Sequence, residues 1–258
     1  KNVGIGYQAA YTANGDENTA IGYNALVDAT TGNRNTALGS SAGENFTTGD
    51  DNVAIGRAAL YTATTISDTV AVGKNALYAM TTGTENTAIG YEAGAAVTTG
   101  VANTFIGYVS GDANTTGGYN TALGSSTLSA NTTGDKNTAL GYGALLSATT
   151  ASFNTAIGAF AGDALTTGAQ NTYVGLQAGS SATTSNNNVA VGFQSMLSMT
   201  TGTRNTAVGA ISLDAATEAN DNTAFGYGAL SANTTGTGNT AVGSYAGDNI
   251  TTGNYNTT

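Results

Sequence analysis

Apolar and polar residues alternate over one five-residue stretch, and the stretch returns every 17 residues along the chain. It reads Asn-Thr-Ala-apolar-Gly, with its first residue at 18, 35, 52, 69, 86, 103 and onward to 239 and 256. The first interval, Asn2 to Asn18, is 16 residues and so lacks one turn residue. The full consensus is N-T-A-apolar-G-x-x-A-(L/G)-x-x-x-T-T-G-x-x, and Asn holds the first place at 15 of 16 occurrences, with Thr69 the departure. A period of 17 is too short for helical hairpin repeats, which take about 33 to 47 residues, and falls near the lengths of β-solenoid coils. The pattern predicts an all-β fold: a parallel β-solenoid, or β-roll, of about fifteen 17-residue rungs forming one repeat domain over residues 1–258. At about 4.8 Å per rung this would give a rod on the order of 70 Å long.

Within the pentapeptide, side chains two apart share a face. Thr19 lies with Ile21, Val53 with Ile55 and Val189 with Val191, and this face is expected to be the core because its fourth place is always apolar. The third place would then point outward. It is Ala in 12 of 15 rungs, among them Ala20, Ala37, Ala54, Ala71, Ala88 and Ala122. An exposed strand face drifts among Lys, Glu, Thr and Ser, so an Ala column there argues for an oligomer face packed against sister chains. The alternative has Ala lining a thin core while Thr and Ile face out, and an outward aliphatic stripe would itself demand a partner.

The Gly that follows, as at Gly22, Gly39, Gly56, Gly90 and Gly107, never varies, which fits a corner that excludes a Cβ. Asn at the first place, as at Asn18, Asn35, Asn52, Asn86 and Asn103, suits the opposite corner, where stacked amides can bond along the axis as an internal ladder. A second short strand is expected through the x-x-A-L stretch. Its ninth place carries Leu or Gly in blocks, and the twelfth place answers it: bulky beside Gly (Phe46, Val97, Leu165, Ile250), small or polar beside Leu (Ala29, Ala63, Ala148, Asn131). Both places therefore feed one core volume. Asn114, Ala182, Met80 and Met199 depart from that rule.

Composition narrows the chemistry. The 258 residues contain no His, Cys, Trp or Pro, and 9% are charged, which removes zinc sites, disulfides, thiol nucleophiles and His-based triads. Absence of Pro leaves every ladder donor in place. A net charge of -10 with six Lys and Arg gives no basic patch for nucleic acid. No apolar run reaches the roughly 20 residues that span a bilayer as a helix, and a chain opening on Lys1 is expected to be an excised or processed segment of something longer.

Asn-Val-Ala-Ile-Gly (52–56) and Asn-Val-Ala-Val-Gly (188–192) resemble the head repeats of trimeric autotransporter adhesins, which fold as left-handed parallel β-rolls. The longer string Asn86-Thr-Ala-Ile-Gly-Tyr91, followed by Ala93, Thr98, Thr99 and Gly100, is similar to the shaft repeats that precede the intramolecular chaperone domain of phage tail fibres. The resemblance implies a left-handed homotrimer, a structural shaft of an extracellular fibre on a virion tail or cell surface, with host attachment through a receptor or glycan met by a tip outside this segment. No chaperone domain, coiled-coil stalk or membrane-anchoring barrel is found among these residues.

The residues give little to catalysis, and neither an enzyme nor a cofactor is expected. Asp16-Glu17 and Asp50-Asp51 occupy a turn that reads Val101-Ala102 or Ser152-Phe153 in other rungs, whereas a repeated calcium site repeats its ligands. A glycosidase needs two acids in one pocket. Tyr at the sixth place (Tyr7, Tyr23, Tyr91, Tyr108, Tyr142, Tyr227) is read as surface packing ahead of sugar stacking, and the sequons at Asn45 and Asn131 arise from the repeat itself. One alternative is a repeat subunit of another extracellular filament; the other is ice binding, because Thr fills the thirteenth place from Thr30 to Thr251 and nearly all of the fourteenth.

Overall fold

The computed structural model describes residues 1–258 as two units, Lys1–Thr133 and Gly134–Thr258. Both are all-β parallel solenoids without a helix, together about 14 turns. The first contains strands β1 (Val3–Ile5) to β8 (Thr121–Leu123) and the second β9 (Thr138–Leu140) to β15 (Thr240–Val242), each of three residues. Inside each unit every strand pairs in parallel with the next at the same place of the repeat, as Thr36 with Val53 and Ala37 with Ala54. The 16-residue first interval keeps this register, with Gly4 opposite Ala20.

The strands turn their third place inward. Ala20, Ala37, Ala54, Ala71, Ala88 and Ala122, expected to form an oligomer face, are fully buried, while the second and fourth places are half-buried or exposed. The physical reason is room. A 17-residue coil encloses little volume, and the first, third, eighth, ninth and twelfth places already fill it. An Ile and a Thr from the same strand do not fit beside Leu60 or Phe46, whereas one methyl does.

A single strand forms per rung. The x-x-A-L stretch is a turn, because the seventh and ninth places take left-handed backbone, as at Asn24 (φ 54°) and Leu26 (φ 49°). Left-handed φ every second residue curls the chain out of the extended region. Neighbouring rungs still bond there, for example Leu26 N–H to the Ala42 carbonyl at 3.1 Å. The seventeenth place is left-handed as well, as at Glu85 (φ 60°). At the fifth place φ is 122° to 143°, and a Cβ on Gly56 would stand 2.6 Å from the carbonyl carbon of Gly73 in the next rung. Only Gly satisfies both constraints.

The shared core volume includes the third place. A Cβ on Gly94 would lie 2.9 Å from Phe105, and one on Gly111 2.5 Å from the same ring; Gly162 and Gly179 bracket Tyr173 at 2.7 and 2.5 Å. Phe105 shares its rung with Gly111 and Asn114, Tyr173 with Gly179 and Ala182. These are the rungs in which a Gly ninth place lacks a bulky twelfth. Three combinations of third, ninth and twelfth places thus fill one interior: Ala with Leu and a small residue, Ala with Gly and a bulky one, or an aromatic with Gly and a small one. Met80 and Met199, beside Leu77 and Met196, are unbranched thioethers that adapt to the space left over.

Candidate functional site

Two side-chain ladders hold the rungs together. In the first, Asn35 donates from Nδ2 to Asn18 Oδ1 at 3.2 Å and to the Gly49 carbonyl at 2.7 Å, and its backbone N–H reaches the same Asn18 Oδ1 at 2.9 Å. Asn52 and Asn103 repeat the pattern on Asn35 and Asn86. These amides are buried and have partners on both sides, so they cost nothing in desolvation that is not returned. Thr69 interrupts the ladder: it accepts no bond from the Asn86 N–H and turns its hydroxyl to the Ser67 carbonyl at 3.1 Å.

The second ladder runs through the thirteenth place. Thr47 donates its hydroxyl to the Thr64 carbonyl at 2.9 Å, beside its own backbone N–H at 2.9 Å and that of Thr48 at 3.3 Å. Thr98, Thr166 and Thr200 do the same one rung on. Most thirteenth-place hydroxyls are therefore committed to holding the coil, Thr64 being an exception, and the fourteenth-place Thr column of that pair is left to solvent.

The surface with recognition potential is the outward side of the strands. Its fourth place is an apolar column in each unit, aliphatic except at Phe225, with Leu38 44% exposed, Leu123 42% and Phe225 55%. Its second place is a column of Thr and Val, and the Thr hydroxyls, as on Thr36, Thr87, Thr104 and Thr206, make no hydrogen bond within the chain. Methyl groups and unbonded hydroxyls recur at strand spacing on an extended, regular face. Sequence alternation paired these two places correctly and assigned them to the wrong side.

The polar turns carry fewer free groups. Arg34 grips Asp51 with two bonds of 2.6 and 2.7 Å, and Arg204 grips Asp221 likewise. The guanidinium beside each carboxylate lowers the carboxylate's pKa. Asp50 accepts from Asn33 and Asp51 from Arg34, so this acidic pair singled out in the sequence serves links between rungs. Asp112, Asp163 and Asp214 differ: each has one buried oxygen without a partner, and burial raises each pKa. Tyr173, enclosed in the core, donates to or accepts from Ser185 Oγ at 2.9 Å, and burial pushes its hydroxyl up to about 12.

Sixth-place aromatics pack on one another along the coil. Tyr7 stacks on Tyr23 and Tyr91 on Tyr108, each pair with centroids 5.3 Å apart. One concavity in the first unit, lined by Arg57, Lys74, Tyr61 and Tyr78, was not anticipated. Its signal in the sequence was the coincidence of two departures from the consensus in consecutive rungs. No protein-family model and no curated protein sequence matches the chain.

Proposed function

We propose that this chain is a structural shaft of an extracellular fibre, of the phage tail-fibre or cell-surface adhesin kind, whose copies associate as a homotrimer along the outward strand face. The observation that carries the reading is the exposed apolar column at the fourth place. Monomeric soluble proteins rarely leave contiguous apolar surface of this kind to water. A sister chain laid on it would bury Ile89, Leu123 and their equivalents while leaving both internal ladders untouched. The mechanical role follows from the same construction: each rung contacts its neighbours only, so load passes along backbone and side-chain ladders in parallel. In this reading adhesion or host attachment belongs to a tip that meets a receptor or glycan, and the shaft supplies length and stiffness.

Light scattering coupled to size exclusion tests the assembly. The expected mass is near three times 25.3 kDa, and Ile89→Lys with Leu123→Lys should reduce it to one chain without loss of β content. A wild-type monomer overturns the reading.

A second reading, ice binding, is favoured by the unbonded second-place Thr hydroxyls standing beside aliphatic side chains at regular spacing. It moves the active surface from the thirteenth place, where most hydroxyls are consumed, to the strand face. A monomer with thermal hysteresis that Thr104→Lys abolishes would put this reading in place of the fibre.

A further inference from the structure

Two consecutive rungs of the first unit break the repeat together, and their departures meet in space. Among the 17-residue rungs the sixth place is charged only at Arg57 and Lys74, and the tenth is aromatic only at Tyr61 and Tyr78. With Ser41, Ala58 and Asn75 these four side chains line a cavity of about 420 Å³. That lies inside the roughly 300–1,000 Å³ of sites that take small molecules.

Its chemistry is one-sided. Side-chain ion pairs occupy Arg34 and Arg204, whereas neither Arg57 nor Lys74 has a carboxylate partner. Lys74 Nζ stands 5.1 Å from the Tyr91 ring centroid, and the neighbouring Glu92 is engaged by Asn75 Nδ2 at 3.1 Å. In a chain of net charge -10, two cations on adjacent rungs repel each other and neither is neutralised by a carboxylate, the Tyr91 ring face being Lys74's one favourable contact. Tyr61 and Tyr78 lie parallel, 3° apart with centroids at 5.2 Å. Stacking commits their inner faces to each other and leaves the ring edges, which carry the positive end of the quadrupole, and the hydroxyls. The cavity therefore offers a guanidinium, an ammonium and several hydroxyls to whatever enters it.

We propose that this cavity binds a carboxylate-bearing sugar of the hexuronate type, its carboxylate between Arg57 and Lys74 and its ring hydroxyls toward Tyr61, Tyr78 and Ser41. The planar guanidinium fork matches a carboxylate, and the amphipathic Tyr side chains suit a ring that is apolar on its C–H side and polar at its edge. A polyanion is disfavoured by the charge of the whole chain. The site uses the sixth, seventh and tenth places, so it stands independently of any assembly along the strand face.

The test is calorimetric titration of the full chain with glucuronate, glucose and inorganic sulfate. Saturable binding of glucuronate is expected, with glucose undetectable and sulfate weaker. Arg57→Ala and Lys74→Ala should each weaken it about ten- to hundredfold, the factor for losing a hydrogen bond to a charged group. Arg34→Ala should leave it unchanged. Both cations are exposed, and circular dichroism verifies the fold; should Arg57→Ala lose it, Arg57→Gln reads the same contact. The proposal is overturned by absent glucuronate binding, by unchanged affinity in the Arg57 variant, or by sulfate binding as tightly as glucuronate, which would reduce the site to a simple anion trap.

Discussion

Phe105→Ala combined with Gly111→Leu should restore most of what either change destroys alone. Phe105 is fully buried between two glycines, and the rungs above and below it are held apart by backbone bonds such as Thr104 N–H to the Asn120 carbonyl at 2.8 Å. The coil cannot collapse into the space a removed ring leaves, so Phe105→Ala should cost about 3–5 kcal/mol, the range for a Phe truncated in a rigid core. Gly111→Leu alone drives a Cβ to 2.5 Å from the Phe105 ring, and should exceed the usual 1–3 kcal/mol of overpacking. Together they give a rung of Ala, Leu and Asn114, the combination already present at Ala122, Leu128 and Asn131 and at Ala224, Leu230 and Asn233. Gly111 has φ 59°, close to Leu128 at 52° and Leu230 at 54°, so the new Leu meets the backbone it needs. The double variant should sit within about 1–2 kcal/mol of wild type, the remainder being the left-handed cost of a residue with a Cβ. The resulting coupling, at least about 4 kcal/mol, lies above the usual range for touching residues. Amide hydrogen exchange around β7 (Thr104–Ile106) is the assay, because a repeat array need not unfold in one step and local opening is the quantity at stake. Additive losses in the double variant would refute the shared-volume argument.

Thr69→Asn should stabilise the first unit by about 1–2 kcal/mol, the value of supplying an acceptor to a buried N–H such as that of Asn86; guanidinium melts of the two proteins measure it. Val109→Asn should raise stability by about 1 kcal/mol, since a β-branched residue at φ 45° is strained and Asn24 and Asn75 hold the same place without that penalty. Asp163→Asn should raise the melting temperature at pH 7. The Asp163 pKa is raised by burial, so protonation favours the folded state: its stabilising contribution is present below the ordinary carboxylate range and lost as pH rises through the raised value. The gap between variant and wild type should therefore close on acidification, and melting curves across pH follow it. A gap that stays constant with pH would assign the effect to something other than the charge.

Much of this architecture was legible because a period of 17 leaves few options. The corner Gly, the Asn column and the parallel register all follow from residues that recur without exception or nearly so. Which strand face is interior was not legible. Alternation says that Thr19 and Ile21 oppose Ala20 but does not say how large the enclosed volume is, and hydrophobicity alone favours Ile over Ala for a core. The left-handed backbone at Leu26 and Leu60 was hidden for another reason: Leu has no local preference for it and adopts it because the coil has to close. The apparent exceptions at Asn114 and Ala182 needed the structure to show that Phe105 and Tyr173 reach across from the third place. The cation-lined cavity was half legible, since Arg57, Lys74, Tyr61 and Tyr78 stand out as departures, although only the coil's geometry brings the sixth and tenth places together.

The shared interior volume has a consequence for how such a chain finds its register. Backbone bonds and both ladders are the same in nearly every rung, so a segment slipped by 17 residues would recover almost all of them. What it would not recover is the match between a ring such as Phe105 and the two glycines that make room for it. A slip carries Gly111 along with Phe105, since both belong to one rung, but puts Leu77 where Gly94 makes room for the ring. In a fold built from near-identical units, the few aromatic rungs serve as addresses, and errors of alignment should gather in stretches where consecutive rungs carry the same volumes.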